Sequence, residues 1–206
     1  MNGCSVLRTF AVLLGLTFLN GCVTTPPTQV NNICNIFEEK RAWYKDAKKA
    51  RARWGVPISV LMATMHQESR FVATAKPPRE KLWGVLPGQR PSNAYGYSQA
   101  LNTTWEWYQK STGNYGADRD NFGDAIDFIG WYHNFSYQEL KLSREDAFKL
   151  YLAYHEGHGG FKRQSYRDKS WLIDVARKVD KKALEFNTQL NSCLQELEPR
   201  GWLDKW

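Results

Sequence analysis

Apolar residues recur at helical spacing in the stretch that follows Gly55 and Pro57. They share one face of an expected amphipathic helix and are Ile58, Leu61, Met62 and Met65. Glu68 follows Met65 by three positions and therefore flanks this face. A carboxyl group beside an apolar face is partly desolvated, which raises its pKa toward the range that suits a general acid at neutral pH. The alternative is a solvated pair of Glu68 with the nearby Arg70.

Helical spacing of apolar residues recurs in five further stretches. They are residues 32–53, 103–110, 121–135, 143–154 and 168–197. Prolines and basic residues make the stretch 76–91 irregular, and no strand-like alternation stands out. The chain of 206 residues is 42% hydrophobic and 14% aromatic, a composition that excludes a disordered polymer. The pattern predicts an all-α domain, with Trp105 and Trp131 in its core.

The N-terminus resembles a bacterial secretion signal, predicted over residues 1–21. A short apolar run ends in Leu19-Asn20-Gly21-Cys22, which is similar to the lipobox of bacterial lipoproteins. This resemblance implies a lipid on Cys22, and Val23 after it is typical of outer-membrane sorting. Ordinary signal cleavage and a short membrane anchor are the alternatives. Residues 22–31 are rich in Thr, Pro and Gln and are expected to form a flexible tether to a catalytic domain over 32–206.

After the signal and the lipid site, two cysteines remain in an oxidising compartment. These are Cys34 and Cys193, and we expect a disulfide between them, with two buried thiols as the alternative. The net charge of +7 suits a polyanionic surface of the envelope, or simply solubility. No nucleic-acid motif is visible and export argues against DNA, so no nucleic-acid partner is expected.

Three short motifs follow one another along the chain. They are Glu68-Ser69-Arg70-Phe71, then Gly96-Tyr97-Ser98-Gln99, then Ala153-Tyr154-His155-Glu156-Gly157. Together they resemble the E-S-x-F, G-L-M-Q and A-Y-N-A-G motifs of peptidoglycan lytic transglycosylases of the soluble-lytic-transglycosylase (SLT) type. The resemblance covers about residues 56–171. It implies a lysozyme-like, all-α domain with a glycan-binding groove, in a lipoprotein of the outer membrane that faces the periplasm.

The resemblance also implies a reaction and its residues. Glu68 would protonate the bond between MurNAc and GlcNAc and then act as base, giving 1,6-anhydro-MurNAc ends, with the Tyr154 hydroxyl positioned near its carboxyl. The expected substrate contacts are Ser69, Tyr95, Gly96, Tyr97, Ser98, Gln99 and His155. The partner would be the glycan strands of peptidoglycan. The loop between the first two motifs is longer than usual in the family, and the second and third motifs each depart from the family pattern.

Four other interpretations remain open. A lysozyme-type muramidase would need a second carboxylate opposite Glu68, and Glu156 is a rival for the acid. A lipid-anchored murein-binding protein without activity would keep only the groove. A metal at His155-x-x-His158 with His66 lacks an established zinc spacing, so no metal and no cofactor are expected.

Overall fold

A computed structural model describes residues 24–82 and 86–198 of the chain. The predicted signal sequence 1–21 and the predicted lipid site at Cys22 lie outside the described residues, as does the end of the predicted catalytic domain after residue 198. None of the described helices is both long enough and apolar enough to cross a membrane.

The described chain forms seven helices and one minimal hairpin. The helices are α1 (Ile33–Glu39), α2 (Arg41–Trp54), α3 (Ile58–Ser69), α4 (Asn102–Thr112), α5 (Phe122–Leu140), α6 (Ala147–Lys162) and α7 (Ser170–Leu197). The hairpin pairs β1 (Lys81–Leu82) with β2 (Leu86–Pro87) in antiparallel register within the stretch predicted to be irregular. The predicted all-α class is confirmed.

The helix predicted over residues 32–53 is two helices with a break at Lys40. The backbone of Lys40 has φ −120° and ψ 65°, outside the helical region. Asn32 begins α1 because its side chain accepts hydrogen bonds from the N–H groups of Cys34 and Asn35. Gly55 ends α2 in the left-handed conformation, as its position in the sequence predicts.

The third motif lies at a kink within α6, which continues beyond the predicted helical stretch 143–154. Gly157 has φ 70° and ψ 160°, and the helix resumes after it as far as Lys162. The chain thus turns sharply beside His155 and Glu156. Because such a backbone conformation is readily adopted only by glycine, Gly157 permits the kink.

Helix α3 occupies the centre of the domain. All its residues are buried except Gln67 and Glu68, since α7, α5, α2 and α6 surround it. The sequence predicts one apolar face, whereas the structure buries the helix on nearly every side. Its polar residues are accordingly bonded: Thr64 Oγ1 lies 2.9 Å from His133 Nε2, and His66 Nε2 lies 3.1 Å from Asn31 Oδ1. A rigid helix therefore carries Glu68 at its exposed end.

The segment expected to be a tether is bonded to α1 from Thr28 onward. Pro27 is buried, and Thr28 donates from its backbone N–H and its hydroxyl to Glu39 Oε2, at 2.9 and 3.0 Å. The Asn35 side chain donates to Gln29 Oε1 at 2.6 Å. These contacts fasten the segment before the first helix begins.

The predicted disulfide between Cys34 and Cys193 is confirmed, with the two sulfurs 2.09 Å apart. It joins α1 to the last turns of α7 across a sequence separation of 159 residues. A bridge that closes so long a loop restricts the unfolded chain strongly, and typical disulfides contribute about 2–4 kcal/mol to stability. The bridge thereby fixes α7, which covers one side of α3.

Candidate active site

The three sequence motifs meet in one groove with a volume of about 520 Å³. The first motif contributes Glu68 from the end of α3, the second contributes Gln99 from a loop, and the third contributes Tyr154, His155 and Glu156 from α6. The remaining lining residues are Pro77, Ser92, Ala94, Ala100, Leu101, Thr104, Phe128, Tyr132 and Gly157. The volume lies within the range of about 300–1,000 Å³ that is usual for ligand sites.

Glu68 is a half-buried carboxyl group whose setting favours the protonated form. Burial raises its pKa to about 7, and a hydrogen bond from the Tyr151 hydroxyl opposes this rise. The carboxyl group is therefore present in both protonation states near neutral pH. That property allows a single group to give up a proton and then take one back.

Tyr154 lies close to Glu68 but is bonded elsewhere. Its hydroxyl donates to the backbone carbonyl of Ser98 at 2.6 Å. Burial and then the nearby Glu68 charge raise its pKa well above the usual value. The hydroxyl that interacts with the Glu68 carboxyl belongs to Tyr151. Sequence reasoning missed this residue, although it precedes Tyr154 by three positions and so faces the same side of α6.

Gln99 lines the groove and stabilises the loop that carries it. Its backbone has φ 48°, and its side-chain amide donates to the carbonyls of Ala75 and Gly96 at 2.9 and 2.8 Å. The amide nitrogen therefore holds the loop together, and the side chain still forms part of the groove wall.

Gly96 permits a close approach of two backbone segments and does not line the groove. It has φ 77°, and a Cβ atom at this position would lie 2.1 Å from the carbonyl oxygen of Arg119. Its neighbour Tyr97 donates from its N–H to that same oxygen at 3.0 Å. The glycine of the second motif thus anchors the loop against residue 119.

Three predicted substrate contacts have side chains in the interior. The ring of Tyr97 is 1% exposed and packs edge-on against Trp43 and Phe122. Ser98 is fully buried, and the Ser69 hydroxyl donates to the Met65 carbonyl at 3.3 Å. The structure corrects the expectation that these side chains touch a sugar, because core packing takes them instead.

Tyr95 also lies away from the groove, in a neighbouring cavity of about 430 Å³. Lys76 Nζ and Arg119 Cζ each lie near its ring, 5.2 and 5.3 Å from the centroid. Its hydroxyl donates to Asp120 Oδ2 at 2.9 Å. Tyr95 thus does not line the groove, and its predicted contact with a sugar stays a prediction.

The groove contains a second carboxylate, Glu156, in a very different environment. Burial raises its pKa, but hydrogen bonds from Lys169, Ser165 and His155 outweigh burial and lower the pKa to about 2. Lys169 Nζ lies 2.8 and 3.0 Å from its two oxygens, and His155 Nδ1 lies 3.2 Å from Oε1. Glu156 is thus ionised and bonded to its neighbours, and it holds His155 at the groove wall.

The histidines considered for a metal have separate polar partners. His66 contacts Asn31, His155 contacts Glu156, and His158 Nε2 lies 2.9 Å from the Ser136 hydroxyl. Within residues 24–82 and 86–198, no three His, Cys, Asp or Glu side chains are arranged to hold a metal ion.

Comparison with known families agrees with the motifs and the groove. The family model described as "Transglycosylase SLT domain" matches residues 10–193. The match spans most of the chain, so the chain belongs to the transglycosylase SLT domain family. Membership gives peptidoglycan as the class of substrate and the cell envelope as the place of action. A comparison with curated proteins gives no match.

We expect Gly96→Ala to lower the free energy of unfolding far more than Gly113→Ala does. Both glycines have a left-handed backbone, with φ 77° and 72°, but nothing lies within 4 Å of a Cβ atom at Gly113. The left-handed conformation alone costs about 1–2 kcal/mol, and the clash with the Arg119 carbonyl adds about 1–3 kcal/mol. Urea unfolding followed by circular dichroism measures both. Equal losses in the two variants would contradict the role of the close approach.

We expect Tyr151→Phe to raise the pKa of Glu68 above about 7. The Tyr151 hydroxyl stabilises the carboxylate, so its removal favours the protonated form and moves the titration to higher pH. Nuclear magnetic resonance of ¹³C-labelled glutamate, assigned with Glu68→Gln, follows this titration directly. Tyr154→Phe is the matched control, because that hydroxyl donates to Ser98, and the Glu68 pKa should not move. An unchanged pKa in Tyr151→Phe refutes the hydrogen bond.

Proposed function

We propose that the protein is a lytic transglycosylase, which cleaves the β-1,4 bond between MurNAc and GlcNAc of peptidoglycan and leaves 1,6-anhydro-MurNAc ends. The observation that carries this proposal is the Glu68 carboxyl, with a pKa of about 7, in the wall of a groove built from all three family motifs. A general acid that must also serve as base works best with a pKa near the working pH.

The proposed reaction uses Glu68 twice. Its carboxyl proton passes to the glycosidic oxygen, the bond from that oxygen to C1 of MurNAc breaks, and the bonding electrons remain on the leaving GlcNAc. The oxygen of the MurNAc 2-acetamido group bonds to C1 in its place. The Glu68 carboxylate then removes the proton of the C6 hydroxyl, whose oxygen displaces the acetamido oxygen from C1. Glu68 ends protonated, and no water is consumed.

The state of Glu156 supports a mechanism with one working acid. Among the described residues that line the groove, Glu68 and Glu156 are the acids. A two-carboxylate hydrolase needs its second carboxylate beside the sugar, as nucleophile or as base toward water. The oxygens of Glu156 are bonded to Lys169, Ser165 and His155 instead. This favours a transglycosylase over a muramidase, which is the alternative function.

Replacement of Glu68 by Gln should lower the release of anhydro-muropeptides from purified sacculi by about 10²- to 10⁴-fold, because the amide has no proton to give. Mass spectrometry of the soluble products measures both the amount and the type of end. Glu106→Gln, on the exposed face of α4, is the matched control and should retain activity. Reducing ends without anhydro ends would identify a muramidase. Equal turnover in Glu68→Gln and the unmodified protein would indicate a binding protein.

We further propose that Cys22 carries a lipid that holds the protein at the outer membrane, facing the periplasm. The resemblance of residues 19–22 to a lipobox supports this. Cys22→Ala should abolish labelling by a clickable fatty acid in cells and release the protein from the membrane fraction, since acyl chains supply about 0.8 kcal/mol per buried CH₂. Cys4→Ala is the matched control and should retain the label. Equal labelling of both variants would overturn the proposal.

A further inference from the structure

A second cavity lies beside the groove and is lined by basic side chains. It has a volume of about 430 Å³ and contains Lys76, Arg90 and Arg119. Ser92 and Ala94 line both this cavity and the groove, so the two adjoin along that wall. We refer to it as the basic cavity. Its volume lies within the usual range of about 300–1,000 Å³ for a ligand site.

The guanidinium groups of the basic cavity are held by neutral groups. Arg119 donates to the backbone carbonyls of Asn93 and Ala100 at 3.2 and 2.9 Å, and Arg90 donates to the carbonyl of Pro77. These bonds orient the side chains without neutralising them. Each guanidinium has five N–H donors, so further donors remain for a ligand.

The third cation, Lys76, is placed by an aromatic ring. Lys76 and Arg119 both lie near the ring of Tyr95, whose hydroxyl donates to Asp120. Asp120 lines a different cavity. Within the described parts of the chain, none of the three cations forms an ion pair with an acid, whereas Arg53, Lys48 and Lys169 all do. The positive charge of the basic cavity is therefore not compensated by its own walls.

We propose that the basic cavity binds carboxylates of the peptide stem attached to a glycan strand that lies in the groove. The inference rests on the proposed function, because a peptidoglycan strand must occupy the groove. MurNAc carries its peptide on the lactyl ether at C3, two ring carbons from the reacting C1, and that peptide carries free carboxylates. Arginine presents a planar pair of donors that matches a carboxylate, and lysine adds a compact charge.

This assignment gives the long loop between the first and second motifs a role. Lys76 and Arg90 belong to that loop, whereas Arg119 precedes α5. Cleavage would then depend on whether the sugar in the groove carries a stem. A loop that only connects the two motifs would give no difference between glycan with and without peptide.

The test compares the double variant Lys76→Gln, Arg90→Gln with the unmodified full-length protein on two substrates. The first is uncrosslinked glycan strands with their stems, and the second is the same strands after an amidase has removed the peptides. The ratio of kcat/KM on the first to that on the second should fall about tenfold, the effect of losing hydrogen bonds to a charged group. The control Lys45→Gln, Lys110→Gln removes the same charge from exposed positions on α2 and α4. A ratio equal in both double variants refutes the proposal.

A binding measurement separates failure of this inference from failure of the proposed reaction. In a Glu68→Gln background, calorimetry compares a disaccharide tetrapeptide with the same disaccharide without peptide. The preference for the peptide-bearing ligand should fall about tenfold on Lys76→Gln, Arg90→Gln. If the unmodified protein releases no anhydro ends, the proposed reaction is wrong. The preference for the peptide-bearing ligand still tests whether the basic cavity binds the stem. Equal affinity of the parent for both ligands overturns the basic cavity as a stem site.

Discussion

The burial of α3 is the constraint on which the candidate site depends. A helix enclosed by α7, α5, α2 and α6 cannot shift without opening the core, so its last turn is fixed in space. Glu68 occupies that turn, where the same packing removes water from its carboxyl and raises the pKa to about 7. The Cys34–Cys193 bridge ties down the helix that covers α3. Core packing therefore produces the chemical property of the site.

The second and third motifs hold the groove in shape as much as they line it. Tyr154 reaches across to the Ser98 carbonyl, and the Gln99 amide holds Ala75 and Gly96. These bonds link the Gly96–Gln99 loop to α6 on one side and to the segment after α3 on the other. Several residues of the motifs thus determine where the groove walls stand, and only some of them can meet a sugar.

Helical periodicity in the sequence predicted the helices and the apolar setting of Glu68, and the two remaining cysteines predicted the disulfide. It could not predict the direction of Tyr97 or Tyr95, since a loop has no repeating period that assigns side chains to faces. It also overlooked Tyr151, whose ring the structure buries and whose hydroxyl interacts with Glu68. The break at Lys40 had no glycine or proline to mark it. Tertiary packing decided these cases.

The charges of the domain are arranged so that the groove keeps one carboxyl group able to exchange a proton. The chain has a net charge of +7, and a cation beside Glu68 would lower its pKa. Lys169 is bound to Glu156, while Lys76, Arg90 and Arg119 line the basic cavity. Neither group of cations affects the pKa of Glu68. Burial raises this pKa, and the Tyr151 hydroxyl opposes the rise. Because no cation is among these causes, the Glu68 carboxyl keeps a pKa of about 7 in a basic protein.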